Sequence, residues 1–183
     1  MTDHRGGGVA AHLLRKPGKH GTTVCDPLAF NSFDDGRTWK LSWEPRRNVR
    51  VRRAATLAPG LGLIAGATAW LWPQSGGLWY QVPLPISSPA TVTGLAIIKV
   101  ETWVVATSTG QIWRTELGGS RWDLVLTRAN ITWTDVAHNG GAVLAVGRYA
   151  LSFGQEGGGV MALSCDAGKE WVLSPPQPDA CFT

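Results

Sequence analysis

Residues 32–39 and 164–171 fit one pattern, S-x-D-x-G-x-x-W, with Ser32, Asp34, Gly36 and Trp39 in the first copy and Ser164, Asp166, Gly168 and Trp171 in the second. Four fixed positions in eight residues rarely recur by accident, so a chain that carries both copies is read as built from repeats. Each residue type has a reason to stand where it does. The carboxylate accepts backbone N–H bonds across a tight turn, Gly takes a positive φ without a Cβ clash, and Trp re-enters the sheet as an apolar anchor. The pattern therefore predicts hairpin closures and gives Asp34 and Asp166 a structural role.

Degenerate copies are expected between the two, and they occur. Residues 72–79 keep the Gly and the closing Trp79, and residues 115–122 keep Thr115, Gly119 and Trp122. The closing tryptophans 39, 79, 122 and 171 follow one another at 40, 43 and 49 residues. A four-stranded propeller blade takes roughly 40 to 50 residues, so the steps are blade-sized. Both full copies resemble the Asp-box (BNR) repeat of sialidase-like β-propellers, and residues 131–171 resemble such a repeat along their whole length.

The stretches between boxes read as short strands. Residues 92–98, 103–107, 111–115 and 122–126 give the cleanest unit, and residues 131–137, 142–147, 160–164 and 170–173 give the next, with a long connection at 148–159. Residues 54–57, 61–65, 68–72 and 78–82 form an earlier unit, with 46–53 as its inner strand or the connection to it. The first unit, with 28–32 and 40–43, lacks an inner strand. The predicted fold is all-β, a β-propeller-like arrangement of about four short four-stranded Asp-box blades with the first incomplete. Its parts are a basic Gly-rich arm at 1–22, the propeller at 23–175 and a tail at 176–183. The ring is expected to close by pairing the first unit with 180–183 or with 9–14, the competing arrangement being an arc whose edge another subunit covers.

With 183 residues, 23 Gly and 11 Pro, the chain suits many strands and tight turns. No segment is long and apolar enough to span a bilayer, and no signal-peptide core is seen, so synthesis and retention in the cytoplasm are expected. Cys25, Cys165 and Cys181 form no metal-ligand spacing and read as reduced thiols. Residues 1–53 carry eleven Lys or Arg against five Asp or Glu, while the remainder carries six against eight, so the basic character belongs to the N-terminal third. The arm is expected to lie on a neighbouring subunit.

Catalysis in the sialidase-like family uses an arginine triad, a Tyr with a Glu partner and an Asp acid, on a full ring about twice as long as this chain. This sequence offers Tyr80 and Tyr149 and no Arg-Ile-Pro-like run before its first box, and the boxes of that family lie away from its active site. No enzyme activity, cofactor or metal is expected. Ten tryptophans are read mainly as inter-blade core, with Trp70 and Trp72 on one strand face, and Trp133 with Asp135 on one face of another by alternation, as candidates for a solvent-facing interaction patch. Arg46, Arg47, Arg50, Arg52 and Arg53 form a basic run read as a solvated or protein-paired edge. Nucleic acid is disfavoured, because the aromatic interleaving used on single strands is missing.

The function expected is a non-catalytic interaction module in a larger assembly. Small propellers of this kind are similar to accessory proteins of bacteriophage particles, so protein subunits of a virion tail or capsid are the first partners expected. A carbohydrate-binding or sialidase-like glycan-recognition domain and an intracellular assembly factor are the alternatives.

Overall fold

β-Branched and aromatic residues in runs of four to ten, broken by Gly, Asn and Ser, favour pleated strands over helix, and the described residues form strands and turns without a helix. The computed structural model describes residues 8–17, 23–32, 37–43, 51–57, 61–66, 68–72, 78–150 and 156–175. Every sheet is an antiparallel meander in chain order. The first joins β1 (Gly8–Pro17), β2 (Thr23–Ser32) and β3 (Lys40–Trp43), and the second β4 (Val51–Leu57), β5 (Leu61–Gly66), β6 (Ala69–Trp72) and β7 (Tyr80–Val82). The third joins β8 (Val92–Ile97), β9 (Trp103–Thr107), β10 (Gln111–Thr115) and β11 (Asp123–Thr127). The fourth joins β12 (Ile131–Asn139), β13 (Ala142–Ala150), β14 (Glu156–Ser164) and β15 (Val172–Leu173). Two compact units divide the chain, residues 1–82 with the first two sheets and residues 83–183 with the other two.

Residues 8–17, expected inside a basic arm, instead form β1, paired with β2 from Gly8 opposite Ser32 to Pro17 opposite Thr23. Val9, Ala10, Ala11, Leu13 and Leu14 lack a clean alternation, and the ladder overrides it by giving the backbone its partners. Residues 9–14 thus pair with the first unit, as a hairpin between neighbouring strands and not as the expected closure of a ring. The first sheet has three strands, and the register Val9–Asn31–Lys40 puts β1 where Leu63–Leu71–Tyr80 puts β5, the second place in its sheet. Residues 1–7, 18–22 and 176–183 lie outside the described residues, and with them the rest of the arm and the tail. The connection expected at 148–159 is shorter, because β13 runs on to Ala150 and β14 begins at Glu156.

In the second unit the third and fourth sheets pack face to face. Val104, Ala106 and Ile112 from one meet Trp133, Val143, Ala145, Val160 and Ala162 from the other, all inaccessible to solvent. Each large side chain buried this way contributes about 1.5–3 kcal/mol. β8 and β12 approach so closely that a Cβ on Gly94 would lie 2.7 Å from the Val136 nitrogen, and Gly is what permits that approach.

Candidate functional site

The 164–171 turn is built by its own side chains. Ser164 Oγ donates to Asp166 Oδ1 at 2.7 Å and accepts the Gly168 N–H at 2.8 Å. Asp166 Oδ1 accepts the N–H groups of Lys169 and Glu170, each at 3.0 Å, and Trp171 Nε1 donates to the Gly168 carbonyl at 3.0 Å. The Glu170 N–H, then the Ser164 hydroxyl, hold the Asp166 carboxyl below its ordinary range. Ala167 and Gly168 both take positive φ, 61° and 84°.

The 115–122 turn repeats this geometry without the carboxylate. Thr115 Oγ1 accepts the N–H groups of Leu117 and Gly119, both at 3.1 Å, and Gly118 and Gly119 take φ of 58° and 85°. The Ser120 N–H, at the place of Lys169, bonds to the Leu117 carbonyl at 3.1 Å instead of a side chain. The residue before each box pairs with the residue after it in all four sheets: Asn31 with Lys40, Leu71 with Tyr80, Arg114 with Asp123 and Leu163 with Val172. Each box therefore fixes the register of an outer hairpin. Of the first box, Ser32 is buried like Ser164 and Trp39 is exposed, while Asp34 and Gly36 lie outside the described residues.

The fourth-sheet turn seats on the third sheet. Arg114 Nε donates to the Ala167 carbonyl at 2.7 Å, and Arg114 Nη2 binds Glu116 Oε1 at 2.6 Å, which in turn meets Lys169 Nζ at 3.3 Å. The hydrogen bond from Arg114, then that from Lys169, keeps Glu116 ionised below its ordinary range. A Cβ on Gly168 would sit 2.8 Å from Val104 Cγ2.

Register makes the seats comparable. Ala96, Val104, Arg114 and Asp123 form one cross-strand row on the third sheet, and Ala137, Leu144, Leu163 and Val172 form the matching row on the fourth. On the third sheet the first three positions are covered, with Val104 at 0% and Arg114 at 5% exposure, while Asp123 on the edge strand is exposed. On the fourth, Leu144 is 38%, Leu163 47% and Val172 75% exposed, and Ala137 is exposed beside them. This row is an apolar strip across a whole sheet.

The residues singled out from sequence are placed differently. Trp133 is a correction: it is fully buried between the third and fourth sheets, so it cannot line a solvent-facing patch. A bulge between Trp133 and Asp135 breaks the alternation that had put them on one face. Trp70 is half-buried opposite Ile64 and Gln81, and the Trp72 side chain lies outside the described residues. Arg52 is exposed, Arg53 is half-buried with Nη1 bonded to the Arg52 carbonyl at 3.0 Å, and Arg46, Arg47 and Arg50 lie outside the described residues. Leu144, Leu163 and Val172 were not anticipated. Their signal was the out-of-phase Leu163 between Ala162 and Ser164.

No family model matches the chain, and no curated protein matches its sequence. Solved structures do. YCF48 bound to a D1 peptide superposes with a TM-score of 0.54 at 14% identity, over 81% of this chain and 48% of that one. YCF48 from Cyanidioschyzon merolae gives 0.54 at 15% identity, over 86% and 53%. The GH74 enzyme of Niastella koreensis gives 0.60 at 12% identity, over 82% and 27%. The chain thus spans about half the length of the YCF48 structures and about a quarter of the GH74 enzyme. These are β-propellers, and the fold of this chain is an all-β, propeller-like one.

Proposed function

We propose that this chain is a non-catalytic interaction module, a run of Asp-box blades whose fourth sheet docks on another protein through Leu144, Leu163 and Val172. The observation that carries the reading is the exposed Leu144 and Leu163, because Val104 and Arg114 at the matching positions one sheet earlier are buried against the turn that follows. YCF48 is a propeller seen with a bound peptide, which makes peptide or protein docking a natural use of the fold.

The assembly it joins, a virion or an intracellular complex, is to be read from the native particle in its source. Native mass and cross-linking of the tagged wild-type chain should show it in a particle, and Leu163→Lys, at an exposed position, should leave the chain folded and unattached. A wild-type chain that runs free of any particle would sink this reading. The glycan-binding alternative has one support, the GH74 likeness, and binding of glucan or sialylated oligosaccharides that Leu163→Lys leaves unchanged would favour it.

A further inference from the structure

Asn139 stands directly before Gly140 at the tip of the β12–β13 hairpin, and of the four asparagines in the chain it alone precedes a glycine. Asn31, Asn48 and Asn130 precede Ser32, Val49 and Ile131. The pair Asn139–Ala142 closes the ladder around a two-residue turn, with Gly140 at φ 59° in its first central place. Residues 139–141 are all exposed, and a Cβ on Gly140 would meet nothing within 4 Å. Among the described residues neither the Asn139 side chain nor the Gly140 N–H has a hydrogen-bond partner. Asn130 is exposed too, but the nitrogen that follows it is tied, since the Ile131 N–H donates to the Arg128 carbonyl at 3.0 Å.

We propose that Asn139–Gly140 is a site of spontaneous covalent modification, in which Asn139 loses its side-chain amide and the hairpin tip loosens. The deprotonated Gly140 nitrogen attacks Asn139 Cγ and closes a cyclic imide, and the Cγ–Nδ2 bond breaks, ammonia leaving with a proton taken from solvent. Water then opens the imide at either carbonyl. The product is aspartate, or isoaspartate with the chain running through Cβ and Cγ. Glycine serves here because it puts no side chain in the way of the attack and lets the backbone rotate as the ring closes. Isoaspartate lengthens the backbone inside the turn that fixes the Asn139–Ala142 pair, and the shift reaches the neighbouring turn. The Gly141 carbonyl accepts the Ala167 N–H at 2.7 Å, and the Ala167 carbonyl accepts Arg114 Nε at 2.7 Å. Ala167 is thus held by the hairpin through its N–H and by the third sheet through its carbonyl, so a displaced Gly141 weakens the seat of the 164–171 turn. This holds whether or not the fourth-sheet row is a docking surface.

The test incubates the purified full chain in neutral and in mildly alkaline buffer and maps its peptides by mass spectrometry, with aspartate separated from isoaspartate. Conversion is expected at Asn139 and not at Asn130, and faster in the alkaline buffer because the attacking nitrogen must first lose its proton. The converted chain is expected to melt about 4–8 °C lower, the shift for one hydrogen bond lost in a unit of this size. Asn139→Ser cannot form the imide and should hold its melting temperature through the incubation. Freshly purified Asn139→Asp adds the charge without the longer backbone and should fall less than the converted wild type. Asn139 left intact in the folded chain overturns the proposal, and its conversion in urea alone would show that the hairpin protects it. Conversion that lowers the melting temperature no more than Asn139→Asp does also overturns it, because the lengthened backbone then fails to reach the Ala167 contact.

Discussion

Arg114 donates through Nε to the Ala167 carbonyl at 2.7 Å, tying β10 of the third sheet to the closing turn of the fourth. The same guanidinium binds Glu116, which is shared with Lys169, so one buried cation holds an acceptor from each sheet. Arg114→Ala is expected to destabilise the second unit by about 1.5–3 kcal/mol in urea unfolding, the usual worth of hydrogen bonds to a charged group. Arg114→Lys should recover little, because a point ammonium cannot serve two acceptors in a fixed fork.

The paired positive φ angles of the 164–171 turn give opposite expectations at adjacent residues. Ala167, at φ 61°, carries a Cβ where the matching residue of the other turn is Gly118 at 58°. Ala167→Gly is expected to raise stability by up to about 1 kcal/mol, the left-handed strain of a Cβ less the extra chain entropy of glycine. Gly168→Ala should lower it by about 1–3 kcal/mol, since the new Cβ meets Val104 Cγ2 at 2.8 Å as well as an unfavourable φ. Thermal melts of the two variants side by side decide this.

Hairpin chemistry was readable in the sequence because it is local. Thr115, Gly119 and Trp122 located a turn whose hydroxyl and φ pattern repeat those at Ser164, even with Leu117 in the place of Asp166. Strand phase was less readable. The bulge after Trp133 inserts a residue that alternation does not show, and it moves Trp133 into the core while Asp135 stays exposed. The Leu144–Leu163–Val172 row was hidden for another reason. An apolar side chain on a strand looks the same whether a further sheet covers it or not, and only the comparison with Val104 and Arg114 reveals the difference.

Protonation of Asp166 should loosen the fourth-sheet turn. Its folded affinity for protons is depressed from an ordinary value of 3.8, first by the Glu170 N–H and then by the Ser164 hydroxyl. A depressed carboxyl stabilises the fold fully above its unfolded value, and the contribution is lost as pH falls through the folded one. Wild type is therefore expected to lose melting temperature below about pH 4 more steeply than Asp166→Asn, which has no charge to lose. Equal slopes for the two between pH 7 and the acid limit would show that the carboxylate is not what holds the turn.

Trp103 and Trp133 are both fully buried, yet their indole N–H groups meet different fates. Trp103 Nε1 donates to the Val100 carbonyl at 2.9 Å, and its ring meets Trp122 edge-on at a centroid distance of 6.3 Å. Trp133 Nε1 is buried with no hydrogen-bond partner among the described residues. Phenylalanine at either site removes similar volume, but at 103 it also orphans a carbonyl, whereas at 133 it removes a donor whose burial was uncompensated. Trp103→Phe is therefore expected to cost at least about 1 kcal/mol more than Trp133→Phe in equilibrium unfolding, the worth of one hydrogen bond made against one forgone. Equal losses would mean that Trp133 Nε1 is satisfied in solution, most simply by a buried water, and its amide-like exchange rate against that of Trp103 would then show the same protection.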